Sequence, residues 1–410
     1  MSLNYTASQP DAPACYGGPA AFPQRFRFIA PTLPSFDGVM AQYAAAYQNG
    51  LITNANCVAR FEDAAAEYLG AKHCVAVSSC TSGLTLAMRA LGLTGDVIVP
   101  SFTFFATGHA VRWNRLQPVF ADCRRDTWNV DAADIESKIT ERTSAIVAVH
   151  MYGNPSDVEA LMNLAVRYRL KLIFDAAHAF GSKYRGQSVG RFGDAEVFSL
   201  SPTKLLVAGE GGLVATNDAA LARALKTLRN YGDDGNYDPE WLGTNARMAE
   251  FNAALALSGI PLIEEKVRKR NEVARMYTEG LASLPGLSFQ HLHPEDVHTF
   301  KDYSIHIAPD EFGLSRDELG AALLAENIET KKYFYPPLHQ QDIYRPFYNR
   351  SLDDLSVTEE VTGGVLSLPI YETLSDDTIR TIAQTIRNLV EYNHSQNHVT
   401  VAGGKNVATL

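Results

Sequence analysis

Leu172-Ile173-Phe174-Asp175-Ala176-Ala177-His178 is an apolar run that ends in an acid and then in small residues. A short apolar run bounded in this way reads as a buried strand, here Leu170 to Asp175, with the acid at its carboxyl end. The same unit repeats outward on both sides. Upstream, strands fit Cys74–Val77, Asp96–Pro100, Gln117–Ala121 and Ser144–His150. They alternate with helical patterns at Ser82–Leu91, Thr103–Trp113, Ala132–Ile139 and Val158–Tyr168. Downstream, strands fit Ala195–Ser199 and Gly212–Thr216, with a helix over 218–229 after them. Such alternation specifies βαβ units, so the expected fold is α/β: a mostly parallel central sheet with helices on both faces.

The flanks set the domain plan. Residues 1–34 read as an irregular lead-in. Ser35 to Leu69 is helical in pattern, with a turn at Asn49-Gly50 and a break through Thr53–Asn56. A large domain therefore spans 35–250. From Met248 to Leu284 the pattern is long and helical, which makes 251–285 a connecting helix. Residues 286–393 mix strand and helix signals and form a smaller α+β domain. The tail, 394–410, is polar and glycine-rich and is expected to stay unfolded.

Composition removes several function classes. With 46% apolar and 20% charged residues the chain can bury a large core. Its net charge of −10 and pI near 5.6 argue against a nucleic-acid partner. The five cysteines, Cys15, Cys57, Cys74, Cys80 and Cys123, are odd in number and lack a CxxC spacing. Neither a metal site nor a disulfide framework follows from them, and a reducing compartment does. Without an eighteen-residue apolar run or a signal-like opening, the expectation is a cytoplasmic protein with no membrane partner.

The chemistry starts from Lys204 in Phe198-Ser199-Leu200-Ser201-Pro202-Thr203-Lys204, followed by Gly209-Glu210-Gly211-Gly212. An isolated lysine is ordinarily a solvated surface charge. An acid at a strand end followed by a lysine in a Ser/Pro/Gly turn suits a pyridoxal 5′-phosphate (PLP) enzyme instead. There the lysine joins the cofactor aldehyde and moves protons, while the acid keeps the pyridine nitrogen protonated. Asp175 fits that acid, a helix N-cap being the alternative. His178 fits a partner for the cofactor's phenolic oxygen or for the Asp175 carboxylate, and otherwise a half-buried histidine. Ser78-Ser79-Cys80-Thr81-Ser82-Gly83 joins a strand to a helix, and its hydroxyls and N–H groups suit a phosphate, with Ser199 adding a hydroxyl; plain helix capping is the alternative. In Pro100–Phe105, Phe104 is the candidate for stacking on the cofactor ring, with core packing expected for the other two phenylalanines. Lys331-Lys332-Tyr333-Phe334-Tyr335 places two cations beside tyrosines, which suits a diphosphate, or else a solvated edge. Arg229–Gly232 and Gly243–Arg247 add polar and cationic groups after the sheet.

These motifs together resemble the DegT/DnrJ/EryC1/StrS sugar aminotransferases, a branch of the fold-type I PLP enzymes, over nearly all of residues 35–390. The marks are Val97–Thr103, Val149–Asn154, Phe174–Gly181, Gly190–Asp194, Phe198–Lys204, Gly209–Asp218, Arg229–Gly232 and Leu366–Pro369. The resemblance implies that Lys204 is the Schiff-base lysine, Asp175 the pyridine-nitrogen acid and His178 the residue near the phenolic oxygen. Thr81, Ser82 and Ser199 then contact the phosphate, and Phe104 stacks on the ring. Asn245 and Arg247 would reach the cofactor of a neighbouring subunit, which implies a homodimer. The implied reaction takes L-glutamate as amino donor and a nucleotide-linked keto-sugar as acceptor. Lys331, Lys332, Tyr333 and Tyr335 would bind that acceptor, and the sequence around them resembles enzymes aminating dTDP-4-keto-6-deoxy-glucose at C4 more than those acting at C3. Amination at C3, and a non-catalytic PLP-binding regulator, are the alternatives. Two positions depart from the family: Ala55-Asn56 replaces a usual Gly-Pro, and Cys80 a usual glycine. Some relatives carry histidine in place of the lysine and act as dehydratases, a reading that Lys204 opposes.

Overall fold

The computed structural model describes residues 12–350 and 353–403, the side chains of 396–403 excepted. In chain order the large domain contains α1 (Phe36–Asn49), α2 (Asn56–Leu69), β1 (His73–Val77), α3 (Cys80–Ala90), β2 (Asp96–Pro100), α4 (Phe105–Trp113), β3 (Gln117–Ala121), α5 (Ala132–Ser137), β4 (Thr143–Val149), α6 (Val158–Tyr168) and β5 (Lys171–Asp175). A small hairpin, β6 (Lys183–Tyr184) and β7 (Gln187–Ser188), precedes β8 (Ala195–Ser199), β9 (Gly212–Thr216) and α7 (Ala219–Leu228). The seven main strands run in the order β1-β9-β8-β5-β4-β2-β3. Only β9 is reversed, antiparallel to both β1 and β8, while the neighbours from β8 through β3 pair in parallel.

Alternation along the strands explains why both faces are covered. On β1, Val75 and Val77 enter one core and Cys74 and Ala76 the other. On β5, Ile173 faces one side while Leu172 and Phe174 face the opposite one. Strands buried on both faces read as continuous apolar runs, which is the pattern that identified them.

The long helical stretch is not one helix. It divides into α8 (Glu250–Gly259), a 3-10 turn at Ile260–Leu262 and α9 (Ile263–Leu281). Pro261 supplies no backbone N–H and favours the start of a helix over its continuation, so the pattern breaks there. Ile263 and Val267 of α9 pack into the large domain, while Val273, Tyr277 and Leu281 pack into the small one.

The small domain holds β10 (Leu287–Phe289), β11 (Tyr303–Ile307), α10 (Pro309–Phe312), α11 (Arg316–Ala325), α12 (Ser356–Gly364), β12 (Val365–Leu368) and α13 (Asp376–Gly403). Its strands form an antiparallel sheet β10-β11-β12. The tail expectation is corrected for residues 394–403. Ile379, Ile382, Ile386 and Leu389 anchor α13 in the core, and a helix once nucleated extends one bond per residue through polar sequence. Residues 404–410 lie outside the described residues, as do 1–11 of the lead-in. The rest of the lead-in is irregular but pinned. Glu326 accepts from the N–H groups of Ala14 and Ala21, and Glu372 accepts from Thr32.

Candidate active site

A cavity of about 310 Å³ opens where the parallel strands end. Its walls follow from the topology. Asp175, Ser199 and Val149 are the last residues of β5, β8 and β4, and Ser79–Thr81 and Thr103–Phe104 lie just beyond β1 and β2. Gly211 precedes reversed β9, so it sits at the same edge. The small domain contributes Lys301, Tyr333 and Phe334. Ligands gather at this edge of open α/β sheets because the loops there converge above the strand ends.

Lys204 reaches this cavity by a short turn. Its N–H donates to the Ser201 carbonyl at 3.0 Å, and Leu205, Leu206, Val207 and Ala208 are all buried behind it. The apolar residues hold the turn in the core and leave the lysine half-buried at the cavity wall. Desolvation, then the positive charge of Lys301, lowers its amine to about 8.

Asp175 is 4% exposed. Its Oδ2 accepts from Thr107 Oγ1 at 2.7 Å and its Oδ1 from the Ala177 N–H at 3.1 Å. Burial pushes the carboxyl up from its ordinary value, and these two donors hold it back. Its hydrogen-bond partners are Thr107, Ala177 and, more weakly, Cys80, and His178 is not among them. Burial pushes the His178 imidazole well down, so the ring stays neutral. Its Nδ1 has no hydrogen-bond partner among the described residues, and the ring stacks beside Phe334 at an interplanar angle of 21° with centroids 5.9 Å apart.

The N-terminal turn of α3 forms a third wall. Ser79 caps it and exchanges hydrogen bonds with Ser82 in a capping box. Gly212 makes the close approach possible, since a Cβ there would lie 2.4 Å from the Ser79 carbonyl carbon and 2.6 Å from the Cys80 nitrogen. Thr81 and Ser199 line the cavity. Ser82 does not: its hydroxyl serves the cap, and the residue lines a neighbouring cavity with Thr85 and Arg89. Cys80 of the same turn is buried with its Sγ 3.9 Å from Asp175 Oδ1, and its thiol is pushed well up.

The aromatic wall departs partly from expectation. Phe102 is in the core at 1% exposure, but Phe105 is 42% exposed and packs beside His109. Phe104 lines the cavity, with Phe334 5.6 Å away. Tyr333 also lines it, held by the Tyr152 hydroxyl, which donates to its carbonyl.

Besides Ser82, other residues singled out from the sequence lie off this cavity. Lys331 and Lys332 are exposed, and Lys332 pairs with Asp317 at 2.8 Å. Tyr335 lies under Arg316, 4.4 Å from its guanidinium. Asn245 bridges to Asn230, and Arg247 donates to Asn230 Oδ1 at 2.6 Å. Arg229 is structural as well: it is buried and donates to Glu62 of α2 and to the Ala76 carbonyl of β1. Sequence reasoning missed Thr107, Lys301 and Phe334. Thr107 follows Thr103 by four residues, which in the helix expected over Thr103–Trp113 would put both on one face. Phe334 lay inside the aromatic–lysine segment. Lys301 had no local signal.

Known structures place this architecture. The structure described as "DesI in the presence of its TDP-sugar product" superposes with a TM-score of 0.89 at 36% identity, covering 95% of this chain and 99% of that one. The fold is thus that of the PLP aminotransferases. Residues 38–387 match the DegT/DnrJ/EryC1/StrS aminotransferase family, and the chain belongs to that family. Among its relatives, dTDP-4-amino-4,6-dideoxy-D-glucose transaminase of Escherichia coli is 34% identical over 87% of this chain and 96% of its own length. UDP-N-acetyl-3-dehydro-alpha-D-glucosamine 3-aminotransferase of Acidithiobacillus ferrooxidans is 38% identical over 78% of this chain and 84% of its own. The protein is a sugar aminotransferase, so the enzymatic reading stands over the regulatory one. No described helix is long and apolar enough to cross a membrane.

Proposed function

We propose that the protein moves the amino group of L-glutamate onto a keto-sugar carried by a nucleoside diphosphate, with PLP as cofactor. In this reading the acceptor is dTDP-4-keto-6-deoxy-glucose, aminated at C4. The observation that carries it is the meeting of a half-buried lysine and a buried acid in one cavity at the carboxyl edge of the sheet.

The residues fit the cofactor. The N-terminal turn of α3, with Thr81 and Ser199, would hold its phosphate. Asp175, kept ionisable by Thr107 and the Ala177 N–H, would face the ring nitrogen. Phe104 would cover the ring. His178 offers an unpartnered, neutral Nδ1 to the ring hydroxyl. When bound, PLP supplies an aldehyde that holds the migrating amino group and a ring that takes up an electron pair.

Lys204 is both the attachment point and the proton carrier. At about 8 its amine is roughly a tenth neutral at pH 7, against about one part in three thousand for an ordinary lysine. Lys204 Nζ can therefore take the α-proton of glutamate and give it back within the same cavity. Tyr333 and Lys331 would receive the nucleotide diphosphate at the small-domain rim, with Lys332 and Tyr335 as the outer contacts.

The C4 assignment draws support from the Escherichia coli relative. The C3 reading draws support from the Acidithiobacillus relative, which has the higher identity. We further read Asn245 and Arg247 as reaching the site of a second copy in a homodimer, which would also cover the exposed Tyr47, Leu51 and Ile52. The cytoplasm is the setting that fits these substrates. Incubation with PLP, L-glutamate and either the 3-keto or the 4-keto dTDP-sugar, followed by NMR of the product, tests the assignment. An amine at C4 only is expected. An amine at C3 moves the assignment to the alternative, and no amine on either sugar overturns both.

A further inference from the structure

The small domain sends a cation into the cavity that the local sequence does not announce. Lys301 is 4% exposed and Asp302 2%. Lys301 Nζ donates to both carboxylate oxygens of Asp302, at 2.9 and 3.0 Å, and lies 5.1 Å from the centre of the Tyr333 ring. The backbone is fixed as well. The Lys301 N–H donates to the Tyr152 carbonyl at 2.9 Å. Arg270, itself paired with Glu372, donates to the carbonyls of Phe300 and Lys301 at 2.9 and 3.1 Å. A buried ion pair is weak ground for stability, because desolvation offsets most of the attraction. Its place on the wall of this cavity points to an electrostatic use.

Several charged or titratable groups act on Lys204. Lys301 and Asp302 do so from the small domain, Cys80 from α3 and Asp175 from β5. His178 follows β5, and Glu210 lines the same cavity. Burial keeps the Cys80 thiol protonated and the His178 ring neutral. Lys301 opposes a proton on Lys204, and Asp302 and Asp175 favour one.

We propose that Lys301, clamped by Asp302, is a positioning residue that sets the charge state of Lys204 and so decides when the amine can capture the cofactor aldehyde. This rests on the function proposed above. Removing Lys301 takes away a like charge and bares an opposite one, so Lys204 holds its proton to higher pH. Neutralising Asp302 leaves Lys301 unscreened, so Lys204 gives up its proton at lower pH.

The test is the pH profile of PLP capture by apoprotein, followed by the growth of visible absorption in wild type, K301M and D302N. Capture needs the neutral amine, so its rate rises through the loss of the Lys204 proton. The midpoint is expected to move up in K301M and down in D302N, each by about half a pH unit or more. General damage slows capture without moving the two midpoints in opposite directions. Midpoints that stay put, or move the same way, overturn the proposal. Where one variant fails to fold, the sign of the shift in the other decides. A wild-type protein that captures no PLP overturns the reading of Lys204 itself, and this inference with it.

Discussion

Thr107 Oγ1 donates to Asp175 Oδ2 at 2.7 Å, and Thr103 Oγ1 lies 2.9 Å behind Thr107. Thr107 stands in the first turn of α4 and Thr103 just before that helix, so the segment leading out of β2 orients a carboxylate at the end of β5. Burial disfavours ionised Asp175, and the Thr107 bond opposes that. A hydrogen bond to a charged group contributes about 1.5–3 kcal/mol. Thr107→Val should therefore weaken PLP binding about tenfold or more, read as Kd by absorbance titration, while Thr107→Ser keeps most of the affinity. Equal affinity in T107V would remove Asp175 from cofactor binding.

Lys204 gives a second prediction, on stability. Its folded value of about 8 lies below the ordinary 10.5, so between those values the unfolded chain binds more protons. Stability of the apoprotein then rises with pH across that window, and the full penalty applies below about 8. Lys204→Met removes the penalty. It should stabilise the apoprotein at pH 7 by up to about 3 kcal/mol, with the gain shrinking towards pH 10. Paired thermal melts of wild type and K204M at the two pH values measure the difference.

Gly212 allows β9 to pass against the first turn of α3. The nearest atoms are backbone, which cannot swing aside. Gly212→Ala should destabilise the protein by about 1–3 kcal/mol and weaken cofactor binding through the displaced turn. Thermal denaturation and a PLP titration read the two effects. A variant with unchanged Tm and Kd would show that this approach does not shape the phosphate wall.

At the rim, the structure separates residues that the sequence presented together. Lys332 is in an exposed pair with Asp317, a kind of contact that contributes under about 1 kcal/mol. Tyr333 lines the cavity. Steady-state kinetics should show KM for the sugar nucleotide rising about fivefold or more in Tyr333→Ala and less than about twofold in Lys332→Ala. The reverse order would place the diphosphate outside the cavity, over Lys332.

Much of this was legible in the sequence because the signals were local. Each apolar run bounded by small residues became a strand, and Asp175, Ser199, Lys204, Thr81 and Phe104 lie at or just beyond strand ends, where the topology brings them together. What failed depended on tertiary context. The helical period through residue 284 hid the break at Pro261, since periodicity survives a one-turn interruption. Polar composition hid the helical continuation to Gly403, which the core anchors on α13 support from a distance. Lys301 carried no local signal because the cavity it lines is built from strand ends far away in sequence, and the Thr103–Thr107 spacing alone does not point to Asp175, 68 residues on. Ser82 shows the converse, a hydroxyl in a phosphate-like motif that is used by the helix cap.

The most direct test of the central claim follows the visible band of the PLP-loaded protein during addition of L-glutamate without any sugar. Wild type should lose the band and release about one equivalent of 2-oxoglutarate per site, whereas Lys204→Ala should release none at a measurable rate. A Lys204→Ala protein that matches wild type, or a wild type that takes up no PLP, would contradict the account.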